Sequence, residues 1–373
     1  MRGADDSNSE NPTPPPRANP YLVGHGAAER ELLRLYRAGR LPHAMLFIGP
    51  RGIGKATLAF RLARFLLARS STRQEPGGAV LVASEAEVGL AIDPASGVFR
   101  RVAAGGHADL LTVERAWDPR RRRLRGEIVV EDTREITAFF RLSAAEEGWR
   151  IVIIDGAEEM NRNAANALLK ILEEPPDRGL LLLVSHNPGR LLSTIRSRCR
   201  RLVLAPLPTP LAAELLRRYR PQLDEAEAAA LSALSGGSVG RALELAEAGG
   251  LELYRSMIEM LAQAPAIDLG RLHALTDRLA RADAEDAYRA SEELLARFLA
   301  RLAADMARGR AGDEEIVAGE GAAISRLAGA ADAARWAELR SEIERNFATA
   351  RNLNLDRKQT MLGAFFAIEA LAR

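Results

Sequence analysis

Cysteine is almost absent from this 373-residue chain, where Cys199 stands alone. One thiol excludes both a disulfide framework and a cysteine-rich zinc site within the chain. Lysine is nearly as scarce: of 52 basic residues, only Lys55, Lys170 and Lys358 are lysines, and the other 49 are arginines. An excess of charge of one sign is missing too. The net charge is +2, so nothing global demands nucleic acid and any DNA contact must be local. No apolar run approaches the roughly 20 residues of a membrane span, and the N-terminus carries no apolar signal region. The expectation is a cytoplasmic protein without a membrane partner.

What is present is ordinary for a globular chain, with 47% hydrophobic and 27% charged residues and length enough for two or three cores. Residues 1–19, acidic and polar and then rich in proline, read as a disordered leader. From Tyr21 onward strand-like and helix-like runs alternate, the pattern of a mostly parallel α/β sheet, over residues 20–206. Within it residues 70–126 read as an irregular insert rich in Gly and Arg. Leu110 to Val113 and Ile128 to Val130 look like strands flanking a turn at Asp118-Pro119. A strand at Ile151 to Ile154, a helix at Asn163 to Glu174 and a strand at Leu180 to Val184 follow. After Pro206, Pro208 and Pro210 the chain turns helical, read as a small lid domain over 207–250 and a larger helical domain over 251–373.

One glycine-rich loop carries chemistry. Gly49-Pro50-Arg51-Gly52-Ile53-Gly54-Lys55 has the P-loop form G-x-x-x-x-G-K between a strand-like run, Ala44 to Ile48, and an amphipathic helix from Ala56 to Leu67. Gly49, Gly52 and Gly54 let backbone N–H groups curl around phosphate oxygens, and Lys55 adds a compact charge that an arginine fork does not supply. The next position is Ala56, where a Ser or Thr hydroxyl would hold Mg²⁺. Thr57 is the nearest substitute, but one helical step turns its side chain by about 100°, away from the metal.

About a hundred residues on, Ile151-Val152-Ile153-Ile154-Asp155 is an apolar strand ending in an acid, the form of a Walker B segment. Gly156 occupies the place where a hydrolysing site carries a Glu, and Glu158 and Glu159 are expected to point elsewhere. Both departures fall on hydrolysis rather than on phosphate binding. Further on, Ser197-Arg198-Cys199 places the only cysteine beside an arginine. Cys199 reads as a small packing residue. Arg198 reads either as a solvated helix-end charge or as an arginine finger for a neighbouring subunit. The run Arg120-Arg121-Arg122-Arg123 reads as a solvated turn, with a phosphate contact as the alternative.

Together these pieces resemble the clamp-loader branch of the AAA+ ATPases. Asn166-Ala167-Leu168-Leu169-Lys170-Ile171-Leu172-Glu173-Glu174-Pro175 matches that family's N-A-L-L-K-x-L-E-E-P helix, and Ser197-Arg198-Cys199 its S-R-C motif. Leu41-Pro42-His43-Ala44 and Gly237-Ser238 also fit, so the likeness runs from Tyr21 to about Ala248. It implies a P-loop domain, a helical lid and an all-α collar, with α-helical segments near Asp286 to Met306 and Asn354 to Leu371 as collar candidates. Ser185 and His186 fall in the sensor 1 region. The sensor 2 arginine position is Gly240, with Arg241 one step off. Many relatives bind zinc through four cysteines, which this chain cannot do.

The departures at Ala56 and Gly156 imply a non-hydrolysing member that offers Arg198 in trans; ATP binding at Lys55 is left open by the sequence, and ATP that does bind is expected to leave intact. Such a member carries no catalysis of its own within the DNA polymerase III holoenzyme. The implied partners are the gamma/tau ATPase subunits, the delta subunit and, through the complex, the sliding clamp and primed DNA. The alternative is an active gamma/tau-like ATPase in which Thr57 and Glu158 have taken over.

Overall fold

A computed structural model of the chain describes residues 13–71, 89–118, 123–142, 148–310, 312 and 315–373. It divides into two compact units, residues 1–207 and 208–373.

The inner strands of the first unit are largely apolar on both faces, as a sheet covered by helices on each side requires. Five strands, β1 (Ala44–Ile48), β2 (Leu110–Val113), β5 (Arg150–Asp155), β6 (Gly179–Ser185) and β7 (Arg200–Val203), pair in parallel in the order β2-β5-β6-β1-β7. Two more, β3 (Trp117–Asp118) and β4 (Arg123–Leu124), form a separate antiparallel ribbon. Side chains alternate between two cores. Met45, Phe47, Ile151, Ile153 and Leu182 face one side, with Leu58, Leu62 and Leu66 of α2 (Lys55–Ser71). Ala44, Leu46, Val152, Ile154 and Leu183 face the other, against Leu168 and Leu172 of α5 (Arg162–Glu173) and Ile195 of α6 (Ser193–Arg198). The helices α1 (Gly26–Arg37), α3 (Gly97–Ala103) and α4 (Val130–Arg141) complete the unit. A parallel sheet with crossover helices and a P-loop leaving β1, between β6 and β7 in the sheet, is the α/β P-loop architecture the sequence implies.

Three local expectations are corrected. Ile128 to Val130 is not a strand: Ile128 makes one isolated bridge to Met160, and Val130 opens α4. The β-branched run misleads because Asp132 caps the helix, its Oδ2 accepting from the Val129 N–H at 2.8 Å. Residues 70–126 are not an insert as a whole, since Leu110–Val113 is an edge strand of the main sheet. The leader is anchored where it is described: the buried Arg64 donates to the carbonyls of Arg17 and Asn19, both at 2.9 Å, and Arg61 to that of Pro20 at 2.8 Å. Residues 1–12 and Arg120 to Arg122 lie outside the described residues, as does the side chain of Arg123.

The second unit is all helical: α7 (Thr209–Tyr219), α8 (Glu225–Leu234), α9 (Val239–Glu247), α10 (Gly250–Leu261), α11 (Leu269–Ala280), α12 (Glu285–Ala307), α13 (Glu320–Ala328), α14 (Ala333–Leu353) and α15 (Arg357–Leu371). The segments read as lid and as collar pack within this one unit, α10 lying against α8, α9, α12 and α13. Ser238 of the Gly237-Ser238 pair caps α9, its Oγ accepting from the Arg241 N–H at 3.2 Å. The apolar stripes of α12 and α15 are largely spent inside the bundle: Leu294, Leu295, Phe298 and Leu302 of α12 and Met361, Phe365 and Ile368 of α15 are buried.

Candidate nucleotide pocket and arginine edge

The strand order sets the pocket. In parallel sheets β1, β5 and β6 end on the same side, with Ile48 beside Ser185 and Asp155 beside Val184. The P-loop therefore leaves β1 next to the acid that ends β5 and the residues that end β6, the usual ligand side of an open α/β sheet. Two glycines are required by their surroundings. Gly49 has φ 154°, and a Cβ there would stand 2.4 Å from the Leu204 carbonyl oxygen. Gly156 has φ 74°, and a Cβ there would stand 2.6 Å from Glu159 Oε2. Gly52 and Gly54 also take positive φ, 76° and 101°. The loop is braced from behind by the buried His25, whose Nε2 donates to the Ile53 carbonyl at 2.6 Å.

Lys55 is 3% exposed and donates Nζ to the Gly49 carbonyl at 2.7 Å and to that of Pro50. Burial brings its pKa down to about 8, against the pull of Asp155 and Glu158 and with the repulsion of Arg51. Asp155 moves the other way. Burial, then the negative charge of Glu114, pushes its carboxyl up to about 6 against the attraction of Lys55. Glu159 is also raised, by burial, although it pairs with Arg115 at 2.8 Å. Ala56 packs against the apolar core of α2, and Thr57 is buried.

Glu158 does not point elsewhere. It follows the left-handed turn at Gly156 in a short 3₁₀ segment, Ala157–Glu159, and reaches the end of β6. Its Oε1 accepts from the backbone N–H of His186 at 2.8 Å and of Asn187 at 3.1 Å. Burial opposes its charge, but the backbone N–H groups of Glu158 itself and of His186, with the Ser185 hydroxyl, outweigh it, and its carboxyl lies below the usual range. His186 is lowered by burial and by Lys55, while Ser185 is fully buried at the strand end. Lys55, Asp155, Glu158, Ser185 and His186 thus form one cluster. Sequence spacing placed Glu158 beyond the strand end and pointing away, because it does not report the left-handed turn at Gly156 that brings it back to β6.

Arg241 belongs to the second unit, where Glu244 at 2.7 Å and Glu293 hold its guanidinium. Arg198, the last residue of α6, is at the surface with its side chain 37% exposed. Its neighbours Ile195 and Cys199 are buried, and burial pushes the Cys199 thiol up to about 12, which makes it a packing residue and not a nucleophile. No group of acids, histidines and cysteines suited to a metal exists among the described residues, and no helix there is long and apolar enough to cross a membrane.

Residues 24–208, which hold both the pocket and the arginine edge, match the family described as DNA polymerase III, delta subunit. DNA polymerase III subunit delta' of Pseudomonas aeruginosa is 38% identical over 222 residues, 58% of this chain and 60% of that protein. The delta' subunit of Escherichia coli is 34% identical over 235 residues, 62% of this chain and 63% of that protein. The gamma/tau subunit of Mycobacterium tuberculosis is 29% identical over 281 residues, 74% of this chain and 45% of that protein. The chain spans about three fifths of the length of the two delta' relatives. Likeness is higher to the delta' proteins than to gamma/tau, and the departures at Ala56 and Gly156 lie within the matched region. Over that region the chain is similar to the delta' subunits of DNA polymerase III.

Proposed function

We propose that this chain is a delta-prime-type clamp-loader subunit that binds nucleotide without hydrolysing it and supplies Arg198 to the ATP site of a neighbouring subunit. The observation that carries the reading is the backbone at Gly156. Gly156 stands where the Glu that would activate water belongs, in a left-handed turn at the end of β5 where any side chain would be strained and would have to displace Glu159. The donor set fits a nucleotide but not its hydrolysis: Gly49 to Gly54 and Lys55 would hold phosphates, while residue 56 has no hydroxyl for Mg²⁺. ATP bound there serves structure.

The chemistry then lies at the rim. A guanidinium placed beside a partner's γ-phosphate neutralises charge that builds in the transition state, an effect worth roughly 10³ to 10⁵ in rate. The partners in this reading are gamma/tau ATPase subunits and the delta subunit, joined through the helical second unit, with the sliding clamp and primed DNA engaged by the assembled loader in the cytoplasm.

One observation favours a second reading, a working gamma/tau-like ATPase. Glu158 lies in the pocket, and its Oε2 is buried without a hydrogen-bond partner. A stand-in base there would give the isolated chain turnover of its own. ATP hydrolysis by the purified chain separates the two: the proposal expects none, and turnover abolished by Lys55→Ala would overturn it in favour of the ATPase.

A further inference from the structure

Two sequence motifs that are 25 residues apart meet at one ion pair. Glu173, the last residue of α5, accepts from Arg198 Nη2 at 2.7 Å, and the Thr194 carbonyl accepts from Nη1 at 3.2 Å. Both side chains are at the surface, Glu173 51% and Arg198 37% exposed. Their backbones are not free to wander. Leu172, Ile195 and Cys199, next or near to them in sequence, are buried in the same apolar cluster. The short helix that carries Arg198 and the end of the helix that carries Glu173 are thus fixed against each other from below.

We propose that Glu173 is the positioning residue for Arg198. This rests on the arginine-finger reading above and adds the reason the finger is held ready. An arginine side chain gives up rotamer entropy when it is fixed in one geometry. Glu173 and the Thr194 carbonyl hold the plane of the fork before any partner arrives, so the partner's phosphate does not bear that cost. The guanidinium has five N–H groups, and the two acceptors engage one on each Nη. Nε–H and the second hydrogens of the fork stay open to an anion, so phosphate binding does not require Glu173 to let go. The carboxylate also weakens the field that the anion meets. In an exposed pair screened by solvent, this loss is smaller than the gain from a preset geometry.

The test uses the full chain in the reconstituted loader, reading the partner ATPase's turnover. Glu173→Ala lowers kcat about fivefold, the size expected of an exposed ion pair, with KM for ATP, loader assembly and the chain's melting temperature unchanged. Glu173→Gln, which keeps an oxygen acceptor for Nη2, retains kcat within about twofold of the wild type. With Arg198→Ala already present, Glu173→Ala has no further effect. Full kcat in Glu173→Ala while Arg198→Ala abolishes turnover leaves the finger standing and overturns the positioning role. Faster turnover in Glu173→Ala overturns it as well, since Glu173 would then be a restraint. An equal loss with and without Arg198 shows that Glu173 acts elsewhere and also overturns it. If Arg198→Ala itself leaves turnover intact, the finger reading fails and this inference fails with it.

Discussion

Two cations of the first unit stand in opposite surroundings. Lys55 is sealed in the pocket, its pKa lowered by burial to about 8, and bonded to carbonyls of its own loop. Arg198 is at the rim, with an exposed carboxylate beside it and open N–H groups. The pocket is held by groups whose strain and desolvation are tied to the stability of the fold. The edge is held by a solvated pair that the fold hardly needs. The comparison teaches that the two cations differ in what surrounds them: the inner site has the loop of a phosphate binder, and the outer one presents a guanidinium at the surface.

The two regions therefore separate by what their mutation changes. Gly49→Ala is the harshest change in the pocket, since its Cβ meets the Leu204 carbonyl at 2.4 Å and Ile53 Cδ1 at 2.8 Å. It costs about 3 kcal/mol by urea unfolding. A cost near zero would mean that the loop is not packed against the end of β7.

Asp155→Asn comes next, with the opposite sign. The folded pKa of Asp155, about 6, is above the ordinary 3.8. Its ionisation therefore erodes stability as pH rises from about 4 through 6 and costs a constant amount above that. The variant gains about 2 kcal/mol over wild type at pH 7.5, and the gain vanishes by pH 4. A gain that does not change with pH would place its cause elsewhere. Gly156→Ala is smaller again, a loss of about 1 to 2 kcal/mol from forcing a Cβ into a left-handed backbone. Arg198→Ala is at the bottom of the series, within about 0.5 kcal/mol of wild type. A larger loss would make the edge structural, and the contrast would collapse.

Much of this was legible in the sequence, because glycine spacing and apolar strands leave direct marks. The loop from Gly49 to Lys55, the acid at Asp155 and the helix ending before Pro175 follow from residue types that only a few geometries accept. The strand Leu110–Val113 was legible as an apolar run, but its place at the edge of the main sheet was not, because its neighbours are Gly- and Arg-rich. The start of α4 was hidden because Ile128 to Val130 are β-branched, and the cap three residues on decides the matter. Glu158 was misplaced because a left-handed residue redirects the chain, and no periodicity reports such a turn. The Glu173 to Arg198 pair joins distant segments, and only the packing of α6 on α5 brings them together.

The most direct measurement compares the two cations in one assembly. In the reconstituted loader, ATP turnover is measured with wild-type chain, with Lys55→Ala and with Arg198→Ala, at matched assembly. The account predicts that Arg198→Ala lowers the partner's turnover by about 10³-fold or more, while Lys55→Ala leaves it within about twofold. Loss of turnover through Lys55→Ala, with Arg198→Ala indistinguishable from wild type, would contradict it.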